Sequence, residues 1–174
     1  MHESSRKPLL APDETAYLKS YGRELFDDMV ENEYKSQFNA LLTNQVKITR
    51  QLRAAVIDWM FEVGFKMNID DKSVLFQAFN LMDRFYSVQN SCLPAKDLQL
   101  TAVAALFIAS KNLEVDPLDL KSCIVTLCFK KYSKTDFLEK ETLIRRACLY
   151  ENEAPSCLDF IMLYIRLLKL QLQD

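Results

Sequence analysis

The stretch LQLTAVAALFIAS, Leu98 to Ser110, is apolar almost all the way round a helical turn. A helix without a polar face is buried on every side, because no orientation of it leaves a wet surface. Its alanines, Ala102, Ala104, Ala105 and Ala109, carry only a methyl group and let neighbouring helices approach closely. The segment therefore reads as a central helix over about 94–112 with other helices packed around it. Pro94 falls near its first turn, where a missing N–H leaves no hydrogen bond unmade.

The flanking segments supply the wrapping. Upstream, Leu52, Val56, Trp59, Val63 and Met67 recur at helical spacing and predict a helix over about 49–67. A second, over about 71–88, puts Val74, Leu75, Ala78, Met82 and Phe85 on one face, with Asp70 or Asp71 at its start. A further helix over roughly 14–34 follows Asp13, whose carboxylate can cap it by accepting hydrogen bonds from the first free N–H groups. About residues 35–48 then read as a linker, in line with the helix boundaries on either side. Downstream, Asp116-Pro117, Ser133 with Asp136 three residues on, and Ser156 with Asp159 three residues on are helix-start signals. In each, a side chain satisfies orphan N–H groups and the acid favours the positive helix end. Only two glycines and five prolines punctuate 174 residues, and no strand-type alternation bounded by turns stands out. The fold class is all-α.

Composition excludes several functions. Half-apolar composition (49%) is enough for a sizeable core, and 26% charged residues with a net charge of -2 describe neither a disordered nor a polybasic chain. Capture of nucleic acid by counterion replacement needs a dense cationic surface, so no nucleic-acid partner is expected. No apolar run reaches the roughly 18–20 residues of a membrane span, and MHESSRKPLLAPDE at the N-terminus lacks the apolar stretch of a signal peptide. The expected setting is therefore the nucleus and/or the cytoplasm, with no membrane partner. Cys92, Cys123, Cys128, Cys148 and Cys157 fall in apolar stretches without a CxxC pair and read as reduced, buried thiols rather than metal ligands. The sole histidine is His2, and Gly22 and Gly64 form no phosphate-cradling loop. The acidic pairs Asp27–Asp28 and Asp70–Asp71 are explained by solvation and the helix dipole. No enzyme, no cofactor and no metal is expected.

Four segments in register carry a family resemblance. LRAAVIDWMFEV (Leu52 to Val63) resembles the MRAIL-x-DWL-x-EV signature of the first cyclin box, and LMDRFYS (Leu81 to Ser87) resembles IDRFLS. LQLTAVAALFIASKNLE (Leu98 to Glu114) resembles LQLVG-x-x-x-x-x-IASKYEE, and YSKTDFLEKE (Tyr132 to Glu141) resembles YTKxxxLxxE. The resemblance implies a cyclin-box five-helix bundle around a buried central helix, plus an N-terminal helix and a C-terminal extra helix. It implies a regulatory subunit that binds and activates a cyclin-dependent protein kinase in cell-cycle control. In the family, the cyclin pushes a mobile kinase helix inward so that the kinase's own Lys–Glu pair forms. The partner contacts only the active conformer and stabilises it by its difference in affinity for the two states.

The same resemblance assigns residues. Lys111, which shares a face with Phe107 and Ile108, and Glu141, which shares one with Phe137, Ile144 and Cys148, resemble the charged pair through which cyclins contact the kinase. Taken alone, the first is a snorkelling lysine near a helix C-terminus and the second a solvated edge carboxylate. Asn112, Glu114 and Tyr150 match further kinase-contact positions, and Asn112 and Leu113 depart from the aromatic and acid common there. Leu52, Ala55, Val56, Trp59, Glu62 and Gln99 match a docking patch for RxL-type substrate or inhibitor peptides; Ala55 is smaller than the family's aliphatic residue, which loosens the grip on the peptide's leucine. Arg53 and Asp83 match an interior ion pair.

The implied organisation is a flexible N-terminus over 1–13, an N-terminal helix and linker over 14–48, a cyclin box over 49–153, and a C-terminal helix over 154–174 resembling the start of a second box. Leu158, Ile161, Ile165, Leu168 and Leu170 on that last helix can pack on the first box, pair with another chain, or form an exposed edge. Two other functions compete with kinase activation: a non-activating protein-interaction module on a cyclin fold, and a DNA-contacting cyclin fold, against which the acidic balance argues.

Overall fold

The computed structural model describes residues 10–36, 45, 47–148 and 155–172. Among these the regular structure is helical, with no strand. One compact unit, Gln37–Ala154, holds α2 (Arg50–Lys66), α3 (Lys72–Ser87), α4 (Leu98–Leu113), α5 (Leu120–Ser122) and α6 (Lys134–Ala147). A π-helical turn over Cys123–Leu127 continues α5, and a 3₁₀ turn over Ala95–Asp97 leads into α4. The other unit, Met1–Ser36 with Pro155–Asp174, holds α1 (Pro12–Ser36) and α7 (Cys157–Gln171).

The central helix is where its composition puts it. Leu98, Leu100 and every residue of α4 from Thr101 to Ser110 are buried. α3 and α6 flank α4 most extensively, and α2 and the π-helical turn complete the wall. Ala102, Ala104, Ala105 and Ala109 are wholly inaccessible, as close-packed helix contacts require. Gly64 serves the same purpose between α2 and α3, since a Cβ there would come within 2.9 Å of Leu75 Cδ2. The few buried polar groups in this core are paired. Tyr86 Oη donates to Thr101 Oγ1 at 3.1 Å, and burial pushes the phenol up to about 12. Ser110 Oγ donates to the Phe107 carbonyl and accepts from Leu118 N–H. Gln45 is 1% exposed, donating to the Ser91 carbonyl at 2.9 Å and accepting from Leu93 N–H at 2.8 Å. That amide fixes the loop that feeds α4.

Local start signals act by the expected chemistry in most places. Thr49 Oγ1 accepts from Leu52 N–H at the start of α2, and Asp71 accepts from Ser73 N–H at the start of α3. Ser133 with Asp136, and Ser156 with Asp159, form reciprocal capping boxes on α6 and α7. Two assignments are corrected. Asp13 lies inside the first turn of α1, which begins at Pro12, so it serves the helix dipole rather than the cap. The helix assigned to Asp116-Pro117 begins at Leu120 instead, capped by Asp119, whose carboxylate accepts from Ser122 N–H at 2.9 Å. Leu118 is buried ahead of it, and the anchoring of its N–H by Ser110 holds 116–118 out of helix.

In the α1–α7 unit, Leu10, Leu18 and Leu163 are buried, with Leu25, Phe26, Met29, Leu167 and Leu170 packed around them. Arg166 Nε lies 3.4 Å from Glu14 Oε1. Of the apolar residues questioned above on α7, Leu170 joins this cluster, while Ile161, Ile165 and Leu168 are exposed. The cysteines divide. Cys123, Cys128 and Cys148 are buried, but Cys92 lies in an exposed loop and Cys157 is exposed at the start of α7, correcting their reading as buried thiols.

Candidate functional site

Burial along α4 stops after Ser110, and the next residue, Lys111, emerges in the last turn, where the helix dipole favours a cation. Phe107, one turn earlier, lies under it: Lys111 Nζ stands 4.0 Å from the ring centroid. From α6, Phe137 and Ile144 point into the core on the face that also carries Glu141. The Glu141 side chain is only 11% exposed, so it is not the solvated edge carboxylate of the simplest reading. Its Oε1 accepts from Lys111 Nζ at 2.5 Å and from Arg145 Nε at 3.1 Å. One carboxylate is thus bracketed by two cations at the junction of α4 and α6, with the Lys111 side chain 33% exposed at the rim. Arg145 belongs to none of the family motifs, and its spacing of four from Glu141 is the one signal of it in the sequence.

The remaining kinase-contact assignments fall nearby or outside the described residues. Asn112 Nδ2 reaches Gln77 Oε1 at 3.5 Å. Leu113 is exposed, and Glu114 caps the C-terminus of α4. Glu114 lines a recess of about 650 Å³ with Asp70, Asp71 and Asp116. Desolvation, then repulsion by those three carboxylates, holds its acid above the ordinary range, against a hydrogen bond from Asp70 N–H. Tyr150 lies outside the described residues.

Arg53 on α2 and Asp83 on α3 form a two-pronged ion pair: Arg53 Nε donates to Asp83 Oδ1 at 2.8 Å, and Nη2 to Oδ2. That hydrogen bond holds the guanidinium above its ordinary pKa, with burial opposing it. On α2, Ala55 and Glu62 are exposed and Leu52, Val56 and Trp59 are half-buried, their inner sides against the core. Glu62 lies 4.0 Å from Lys66 Nζ. Gln99 donates Nε2 to the Leu127 carbonyl, tying α4 to the π-helical turn. Among the described residues, no cluster of His, Cys, Asp and Glu could hold a metal ion, and no helix is long and apolar enough to cross a membrane.

The profile of the cyclin N-terminal domain matches residues 24–163. The chain belongs to the cyclin family. This cyclin is 31% identical to cyclin-A1 of Mus musculus over 152 residues, covering 87% of the chain and 34% of that relative. It is 30% identical to cyclin-B2-2 of Oryza sativa subsp. indica over 125 residues, covering 72% of the chain and 29% of the relative. It is 29% identical to cyclin-B2-2 of Arabidopsis thaliana over 175 residues, covering 95% of the chain and 39% of the relative. The chain therefore spans about a third of the length of the relatives it matches. The all-helical fold around α4 is that expected of a cyclin box.

Proposed function

We propose that this cyclin binds a cyclin-dependent protein kinase and shifts it to its active conformation, with residues 49–153 acting as the cyclin box. The observation that carries the reading is the Lys111–Glu141–Arg145 cluster at the α4–α6 junction. Its geometry is already set: Lys111 is held over Phe107 and against Glu141, so a partner that meets it finds the charges oriented. Pre-ordering removes part of the entropy that an induced contact would lose. Asn112 and Glu114 follow Lys111 at the end of α4, and Tyr150 completes the set in sequence terms. A shift of a kinase from mostly inactive to mostly active requires about 5 kcal/mol of differential binding, which a contact limited to the active conformer can supply.

Leu52, Ala55, Val56, Trp59, Glu62 and Gln99 form the second part of the proposal, a docking strip for RxL-type peptides on α2 and α4. Ala55, Trp59 and Glu62 lie along one α2 face at spacings of four and three. Arg53 and Asp83 serve structure. Pull-down from the source cell, followed by assay of the captured kinase with and without added chain, tests the proposal. Capture of a cyclin-dependent kinase whose activity rises with the chain supports it. Capture without activation favours an interaction module, and no capture refutes kinase binding.

A further inference from the structure

Beyond the α4–α6 junction, the turn between the π-helical segment and α6 carries an unusual combination of strain, exposure and charge. Cys128 ends the π-helical turn, and the next two residues, Phe129 and Lys130, take left-handed backbone conformations at φ 52° and 56°. Glycine or asparagine would occupy such positions with less strain. The turn is nevertheless fixed: Lys130 N–H donates to the Ile124 carbonyl and Lys131 N–H to the Cys128 carbonyl, both at 2.9 Å. The result is a phenylalanine 76% exposed to water. A side chain so placed contributes little to the core and is held on strained backbone.

Lysines follow it along the chain. Lys130, Lys131 and Lys134 are exposed on the turn and the start of α6. Tyr132 Oη donates to the Lys96 carbonyl at 3.0 Å, bringing exposed Lys96 to the same edge, and Lys131 Nζ lies 5.3 Å from the Tyr132 ring. The nearby acids offset only part of this charge. Asp136 is exposed and accepts from Ser133 N–H and Oγ in the α6 cap, bonds that hold its carboxyl below the ordinary range, and Asp97 is half-buried, so four exposed lysines stand against two carboxylates. In a chain of net charge -2, four exposed lysines on this turn and the segments beside it are a local excess of positive charge.

We propose that Phe129, Lys130, Lys131 and Lys134, with Lys96, form a docking surface for an acidic segment of a partner protein that carries an apolar side chain to cover Phe129. Charge complementarity selects the acidic partner, and the single ring supplies an anchor of the kind that dominates short interfaces. Duplex DNA fits less well, because tight phosphate binding needs a longer cationic track than one turn. A lipid surface fits less well too, because one phenylalanine buries far less apolar surface than the acyl chain that a polybasic patch has to accompany for stable anchoring. The proposal does not depend on kinase binding.

The test uses the full chain and a fluorescein-labelled peptide of Glu and Asp around a central Leu, read by anisotropy at low and physiological salt. The expected result is saturable binding that weakens as salt rises. Phe129→Gly should weaken binding about tenfold while raising the melting temperature, since the anchor is lost but the strain is relieved. Lys130→Glu with Lys131→Glu should reduce binding by at least about tenfold. The proposal is overturned if the peptide fails to saturate at low salt. It is also overturned if Phe129→Gly raises the melting temperature with binding unchanged, or if phosphatidylserine vesicles or duplex DNA bind more tightly than the peptide.

Discussion

Removing the Asp83 carboxylate by Asp83→Ala strands the Arg53 guanidinium, which has two of its N–H groups committed to that carboxylate. Breaking a fully buried pair by deleting one partner costs about 3–5 kcal/mol. Here the Asp83 side chain is 10% exposed but that of Arg53 is 32% exposed, so the orphaned cation can recover part of its hydration. The expected loss is therefore below that range, about 2–3 kcal/mol. At about 2–4 °C per kcal/mol for a chain of this size, thermal unfolding followed by circular dichroism should shift down by roughly 5–10 °C. The double variant Arg53→Met with Asp83→Leu removes both charges and keeps apolar volume, so it should recover much of the loss. A drop of less than about 1 °C in Asp83→Ala, or a double variant as unstable as the sum of the singles, would refute the reasoning.

Three further outcomes follow from the same geometry. Glu114→Gln should raise the melting temperature at neutral pH. The raised acid of Glu114 means that its stabilising contribution is present below the unfolded pKa and lost as pH rises through the folded value. The gain should vanish in acid, where glutamate is protonated in both states; a gain independent of pH from acid to neutral would contradict the assigned cause. A thiol reagent should label Cys92 and Cys157 in the native chain and leave the others until unfolding, because burial pushes Cys123 up to about 12 and Cys128 and Cys148 up to about 11. Mass spectrometry reads the sites, and rapid native labelling of Cys123 would count against the packing of the π-helical turn on α4. Ala55→Ile should tighten binding of an RxL peptide about fivefold by restoring apolar contact, and an unchanged titration would remove Ala55 from the docking strip.

How far the sequence could be read follows from where each interaction lies along the chain. The burial of α4 needed no partner to be known, because thirteen successive residues from Leu98 to Ser110 offer no polar face. The capping boxes at Ser133 and Ser156 were legible because donor and acceptor lie three residues apart. The emergence of Lys111 followed from where the apolar run stops. Long-range pairings were another matter. Gln45 reads as an ordinary linker residue, and only the loop at 91–93 reveals why its amide is buried. Asp116-Pro117 carried a stronger local start signal than Asp119, but the Leu118–Ser110 hydrogen bond set the chain's path first. The left-handed pair Phe129–Lys130 was illegible because neither residue type favours that conformation. Arg145 needed its helix face to be known before its i,i+4 spacing could be used.

Calorimetric titration of a cyclin-dependent kinase into charge variants at the α4–α6 junction tests kinase recognition most directly. Reversal at Glu141 alone would crowd a third cation against Lys111 and Arg145, so stability has to be followed alongside binding. The exchange of Lys111→Glu with Glu141→Lys restores an internal ion pair while inverting the charge order offered to a partner. The reading predicts that this exchange recovers most of the melting temperature lost by Glu141→Lys yet binds the kinase at least about tenfold more weakly than the parent chain. Kinase affinity equal to that of the parent in the exchanged, folded variant would contradict recognition through Lys111 and Glu141.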